Sequence, residues 1–329
     1  MKKSIIYCFL FISLFSCKKE PHRIQFYHWK SNAVLSSVEK ETLEELKSEK
    51  TFMHYFDVVL EDDDIHPVGV IQDIDPYFKT KEVVPVVFIA NDVFKSRYLY
   101  SIDSFVADVE KLIQQIHERY FEKEAVEIQI DCDWTKSTQE KYFKFLEKLK
   151  EKFTLSATIR LHQVKYKKET GIPPVDYGTL MLYNVGDLGK FEENSILSSK
   201  IVQQYINDRS TYPLQLDLAL PLFSQVVIKN NENNIRLINR VIEEDFKKDT
   251  IHFKNVGKNQ FKVIKKTLYK GHYLYKDFMI KLEKTNSDEI VICNDLVRNS
   301  NLNIRNTILY HLDETEIQEQ NFKKLRTRL

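Results

Sequence analysis

The chain has 329 residues, with 49 Lys and Arg against 48 Asp and Glu, so its net charge is +1. That balance gives no electrostatic reason to bind nucleic acid, where affinity comes from cations that neutralise phosphates. Its seven glycines form no GxGxxG and no GxxxxGK[ST], which leaves no phosphate-cradling loop, and no cofactor is expected.

The first segment in chain order is a leader. Lys2 and Lys3 precede an apolar run over 5–15 that ends in Leu14-Phe15-Ser16-Cys17. A basic start, a short apolar stretch and a small residue before the break form a secretory signal, and the stretch is too short to span a bilayer. The Leu-x-small-Cys ending resembles the lipobox of bacterial lipoproteins. That resemblance implies removal of residues 1–16, lipidation of Cys17, a tether over 17–22 and a membrane contact through the lipid only. The alternative is a plain secretory signal followed by an incidental cysteine. Both place the protein outside the cytoplasm, and the first places it in the cell envelope, at the outer membrane or cell surface. Beyond Cys8 and Cys17 only Cys132 and Cys293 remain. They are read as two separate buried thiols, with one disulfide as the alternative, and they have no metal-site spacing.

From residue 23 onward, short runs rich in Val, Ile, Phe and Tyr alternate with helical patterns. Strands are expected at 23–29, 55–60, 83–89, 126–131, 155–161, 177–182, 213–220 and 307–310. Phe105, Val106, Val109, Leu112, Ile113 and Ile116 recur on one helical face, as do Tyr142, Phe143, Leu146, Leu149 and Phe153. Ser137-Thr138-Gln139-Glu140 reads as a capping box for the second of these helices, and 195–206 as a third helix. Alternation of strand and helix implies parallel pairing, and eight strands predict an α/β fold, a (β/α)8 TIM-like barrel over 23–329. A doubly wound open sheet is the other arrangement. Over about 250–285 the pattern changes to the apolar–polar alternation of a half-exposed hairpin, read as a small antiparallel β insertion before the last strand.

Successive strand side chains face opposite ways. Val126, Ile128 and Ile130 supply an apolar outer face, while Glu127, Gln129, Asp131 and Asp133 share the other. Thr158, Arg160 and His162 share a polar face on the fifth strand, Gln215 and Asp217 on the seventh, and Gln25, Tyr27 and Trp29 lie together on the first. Arg160 would pair with Asp131 or Asp217. These polar groups either satisfy one another or line a site. Barrel sites lie at the carboxyl ends of the strands. There the sequence places Trp29, Glu61, Asn91, Asp131, Asp133, Trp134, His162, Gln163, Tyr183, Asn184, Phe223, His311 and Asp313. Carboxylates and amides bind sugar hydroxyls, aromatic faces stack on sugar rings, and a carboxylate pair is the machinery of glycoside hydrolysis. No HExxH or comparable ligand spacing accompanies His162 or His311, so no metal is expected.

Asp131-Cys132-Asp133-Trp134 resembles the fourth strand of chitinase-like glycosidases, whose motif runs Asp-x-x-Asp-x-Asp-x-Glu. Asp131 and Asp133 match it. Ile128 stands at the first Asp position and Thr135 at that of the catalytic Glu. The chain as a whole looks like uncharacterised bacterial lipoproteins with a glycosidase-type barrel. The segments concerned are 128–134, Gly171-Ile172-Pro173-Pro174-Val175-Asp176, Leu180-Met181-Leu182-Tyr183-Asn184, and 212–221. The resulting expectation is a cell-envelope lipoprotein that binds a glycan at the barrel mouth. Asp133 would be the acid or base, Asp131 would tune it, and Asp217 or Asp313 would be the second carboxylate if it also hydrolyses. Trp29, Trp134 and Tyr183 would stack on sugar, His162 and Asn184 would orient it, and Glu61, Arg160, Gln163 and His311 are further candidates for binding it. The alternative is a non-catalytic surface glycan- or protein-binding lipoprotein with a degenerate barrel.

Overall fold

The structure is a computed structural model that describes residues 23–99, 101–239, 243–319, 325, 328 and 329. The expected leader over 1–16, Cys17 and the expected tether over 17–22 lie outside these residues. Eight parallel strands close into a barrel. They are β1 (Ile24–His28), β2 (Lys50–Glu61), β3 (Glu82–Ile89), β4 (Glu127–Asp131), β5 (Thr154–Arg160), β6 (Tyr177–Met181), β7 (Leu216–Pro221) and β8 (Ile304–Tyr310). Each pairs with its neighbours in chain order, and β1 pairs with both β8 and β2, which closes the ring. All eight expected strands are present, and the open sheet is excluded. The segment Asp64–Val68 extends β2 as an antiparallel hairpin beyond the ring.

The stability of this architecture lies outside the ring. Ile128 and Ile130 of β4, Leu155, Ala157 and Ile159 of β5, and Leu216, Leu218 and Leu220 of β7 point outward into one continuous apolar layer. Helices α1 (Ser37–Glu45), α2 (Ile102–Phe121), α3 (Gln139–Lys150), α4 (Ser199–Tyr205) and α5 (Ser287–Arg298) surround the ring. In α2 the buried positions Phe105, Val106, Val109, Ile113 and Ile116 follow the helical period. Each fully buried aliphatic or aromatic side chain of this kind contributes about 1.5–3 kcal/mol. Val126 departs from the expected outer face. It precedes β4, and its side chain is exposed. The capping box expected at Ser137–Glu140 does not form. Thr138 is the N-cap of α3 but donates to Asn91 Oδ1 at 2.6 Å, so its hydroxyl ties two loops together.

Inside the ring the filling is mixed. Phe52, Val84, Val86, Met181, Ala219 and Ile308 cluster with Tyr27 and Tyr183. The β4–β6 side is polar instead. Tyr27 donates to Gln129, and Gln129 donates to Ser156 Oγ at 3.2 Å and to Thr179 Oγ1 at 2.9 Å. This middle layer of the barrel is satisfied by its own members.

Between β7 and β8 stands a five-stranded antiparallel sheet, ordered Ile235–Asn239, Ser224–Lys229, Met279–Lys284, Gln260–Val263, Phe253–Gly257. It has its own apolar core, with Val226, Phe246, Phe253, Phe261 and Ile280 at its centre. Its first strand begins at Ser224, upstream of the expected start near 250, because 224–229 reads as a buried apolar run without the alternation that marks 261–282. A buried ion pair, Lys281 to Glu283 at 2.8 Å, fastens this sheet to the loop after β6. Lys281 donates to the carbonyls of Lys190 and Glu193, and Glu283 accepts from the backbone and hydroxyl of Ser195. Burial pushes the Glu283 carboxyl up, but Lys281, Ser195 and Gln225 together hold it below its ordinary value.

Candidate functional site

Register sets the height of each inward side chain along the barrel. Phe88 of β3 is level with Asp57 of β2 and with Asp131 of β4. These residues, with Thr158 and Arg160 of β5, Tyr183 after β6, Phe223 after β7, Tyr310 of β8 and Trp29 after β1, ring the mouth at the carboxyl ends of the strands. The fold thus converges strand ends on one basin, as in other barrels.

One half of the basin is aromatic. Tyr183 and Tyr310 stack with centroids 4.6 Å apart and planes 18° from parallel. Phe223 meets Tyr310 edge-on at 5.8 Å. Trp29 lies 5.4 Å from Tyr310 and 4.7 Å from the ring of His54. Tyr183 is buried, whereas Trp29, Phe223, Phe88 and Tyr310 keep part of their surface open. Burial raises the hydroxyl pKa of both tyrosines, so both stay neutral at physiological pH.

The other half is charged. Arg160 Nε and Nη2 donate to the two carboxylate oxygens of Asp133 at 2.5 and 2.8 Å, a bidentate pair on the solvent side. Asp131 lies beneath, 7% exposed, and accepts from Thr158 Oγ1 at 2.6 Å. Burial raises the Asp131 pKa, and this outweighs the opposing effects of Arg160 and Thr158. His54 Nε2 and Asp57 Oδ1 are 2.6 Å apart across the basin. A carboxyl whose two oxygens both accept from a guanidinium has no proton aimed at a leaving group. At the position that the chitinase-like motif gives to its catalytic Glu, Thr135 Oγ1 turns back to Ser137 at 3.0 Å and Thr138 at 3.3 Å.

Several expected site residues fall elsewhere. Trp134 is 1% exposed, stacks on Tyr142 and donates to Thr170 O at 2.9 Å, so it belongs to the layer under α3 and offers no face to a sugar. Gln163 is buried and accepts from the Arg160 backbone at 2.7 Å, tying the turn that ends β5. His162 sits on the short helix Leu161–Lys165 that begins there, so it has left the strand's alternation. It lines a shallow depression of about 80 Å3 with Arg160, Tyr183 and the exposed Asn184. Glu61 projects on the Asp64–Val68 hairpin, 3.8 Å from His66, outside the ring. Asp313 binds Lys30 at 3.1 Å and accepts from Thr315 N at 3.1 Å, which makes it the anchor of the helix Glu314–Glu319. His311 lies beside Tyr310 at the rim.

Asp217 is at the opposite end of the barrel. It aligns with Thr179, one layer below Met181, and is fully buried. Its Oδ1 accepts from the backbone and side chain of Asn306 at 3.1 Å, with Arg305 Nε at 3.3 Å. It cannot pair with Asp133 across a substrate. Arg160 pairs with Asp133, and neither of its expected partners, Asp131 and Asp217, takes that place. Cys132 and Cys293 are buried and unbridged. Among the described residues no group of three His, Cys, Asp or Glu is placed to hold a metal ion.

His54, Asp57, Phe88 and Tyr310 are site residues that the sequence reading did not single out. The signal for Phe88 and Tyr310 was strand parity carried one residue further. For His54 and Asp57 it was hidden by a bulge between His54 and Phe56.

No protein-family model and no curated protein matches the chain. Among solved structures it is similar to the spore cortex-lytic enzyme SleL of Bacillus cereus, at 10% identity and TM-score 0.49 over 88% of this chain and 71% of that one. It is also similar to the C-terminal domain of a putative chitinase from Desulfitobacterium hafniense DCB-2, at 9% identity and TM-score 0.47 over 94% and 99%. A chitinase-like agglutinin from Robinia pseudoacacia follows at 11% identity and TM-score 0.39 over 92% and 98%. These likenesses describe the course of the chain and carry no residue's role across.

Proposed function

We propose that this protein binds a glycan in the basin at the barrel mouth and does not hydrolyse it by a two-carboxylate mechanism. The observation that supports this reading is the partly open aromatic wall of Trp29, Tyr310 and Phe223 facing the Asp133–Arg160 pair. Aromatic faces take the C–H side of a sugar ring, and the ion pair offers donors and acceptors to its hydroxyls. Hydrolysis would need a protonated carboxyl beside the leaving oxygen and a second carboxylate roughly 5–10 Å away. Asp133 is engaged by Arg160, Asp131 is buried beneath it and accepts from Thr158, Asp57 is paired with His54, Asp217 is at the far end, Asp313 anchors a helix, and Thr135 replaces the motif's acid. In the same proposal, residues 1–16 are removed and Cys17 carries lipid, so the basin works at the cell envelope.

The test is a glycan-array screen of soluble protein starting at Lys18, with each hit incubated and its products followed by mass spectrometry. Binding without cleavage is the expected result. Turnover would overturn the non-hydrolytic reading, and binding to no glycan would overturn the proposal as a whole. Replacing Cys17 with Ser in the full chain is expected to move the protein from the membrane fraction to the soluble fraction.

A further inference from the structure

The charge of the chain is unevenly placed. Residues 224–285, the five-stranded sheet and its hairpin, carry 14 Lys and Arg against 7 Asp and Glu, a net of +7 in a chain whose total is +1. On this basic body lies a cavity of about 250 Å3 lined by Asn230, Asn234, Arg236, Tyr273, Tyr275 and Phe278. Tyr273 and Tyr275 are 58% and 47% exposed, unusually open for rings on a folded sheet. Lys266 Nζ lies 4.9 Å from the centroid of each ring, and Tyr275 is braced by Phe278 at 5.7 Å. Arg236 Nη1 reaches His272 Nδ1 at 3.3 Å, which aims the guanidinium across the hairpin Thr267–Tyr269/His272–Leu274.

We infer that this cavity is a second binding site that takes a carboxylate-bearing sugar of an acidic polysaccharide. The guanidinium of Arg236 suits a carboxylate, the tyrosine faces suit a sugar ring, and the amides of Asn230 and Asn234 suit hydroxyls. A flat basic face would suit a phosphate backbone or a lipid surface, whereas a concave, amide-lined and aromatic-sided pocket suits a ring. The site shares no residue with the barrel mouth, so it stands whether or not the mouth binds glycan.

The experiment is calorimetric titration of the whole protein with oligogalacturonate and with a hyaluronan oligomer. Methyl-esterified oligogalacturonate, duplex DNA and phosphatidylglycerol vesicles serve as comparison ligands. The expected result is binding of at least one carboxylated oligomer, weakened about tenfold or more in both Arg236→Gln and Tyr273→Ala and unchanged in Trp29→Ala. Circular dichroism of the variants would show that the hairpin still folds. Three results would overturn the inference. These are failure of both carboxylated oligomers to bind, binding untouched by the Arg236 and Tyr273 changes, and equal binding of the esterified oligomer, DNA or vesicles. Because Trp29→Ala alters only the mouth, failure at this cavity and failure at the mouth are read separately.

Discussion

The two ends of the barrel are built from the same alternating polar strands and come out differently. At the amino-terminal end Lys50 bridges Glu127 and Glu82, both at 2.8 Å, and Tyr177 donates to Glu127 at 2.5 Å. The Arg305 guanidinium covers the Tyr177 ring at 4.0 Å and reaches Asp217. That end is a plug in which wall residues pair with one another, although Asp217 Oδ2 is buried there without a hydrogen bond. At the carboxyl-terminal end the polar groups pair around an aromatic wall that stays partly open. A polar barrel interior is therefore not in itself a site. What separates plug from basin is whether apolar faces are left uncovered among the satisfied charges.

The largest expected effect comes from breaking the plug. Lys50→Ala leaves Glu127 without its cation in a largely buried place, and stability is expected to fall by about 3 kcal/mol in denaturant unfolding. Glycan affinity of the folded fraction should be unchanged. If the same change abolished binding in folded protein, the two ends would not be independent.

The complementary change at the mouth is Trp29→Ala. It is expected to weaken glycan binding by roughly tenfold or more, as loss of a central aromatic does elsewhere, with a smaller loss of stability than Lys50→Ala. Arg160→Gln should weaken binding by several-fold, in the order of about 1 kcal/mol, because it removes the bidentate partner of Asp133. Unchanged affinity in both variants would move the ligand away from this basin.

A smaller effect is read through pH. Burial raises the Asp131 pKa in the folded protein. A carboxyl of this kind favours folding while protonated, and that contribution is lost as pH rises from the ordinary carboxylate range through its raised folded value. Asparagine cannot ionise and can still accept from Thr158. Asp131→Asn is therefore expected to be more stable than the wild type at pH 7, with the difference vanishing toward pH 3. A destabilised variant at pH 7, or a difference independent of pH, would show that Asp131 is held as a favourable anion.

The eight strands were legible as compact apolar runs between helical periods, most of them rich in β-branched and aromatic residues and β7 through leucines alternating with Gln215 and Asp217, and parity placed Asp131, Asp133, Thr158 and Arg160 inside. Parity gives a side chain's direction and leaves its height undetermined. Asp217 faces inward as expected, but its contacts with Arg305 and Asn306 put it at the plug. Alternation also ends where the strand does. His162 and Gln163 belong to a helix, and Trp134 has turned under α3. On β2, Tyr55 and Phe56 both face the outer core, so His54 and Asp57, three apart, face inward together. No strict two-residue period would have grouped them.

The measurement that tests the account most directly is calorimetric titration of an array-identified glycan into the wild type, Trp29→Ala and Lys50→Ala, side by side. The account predicts that affinity is lost in Trp29→Ala and retained in folded Lys50→Ala, with no product released from the wild type. Retained affinity in Trp29→Ala, or release of a cleaved product, would contradict it.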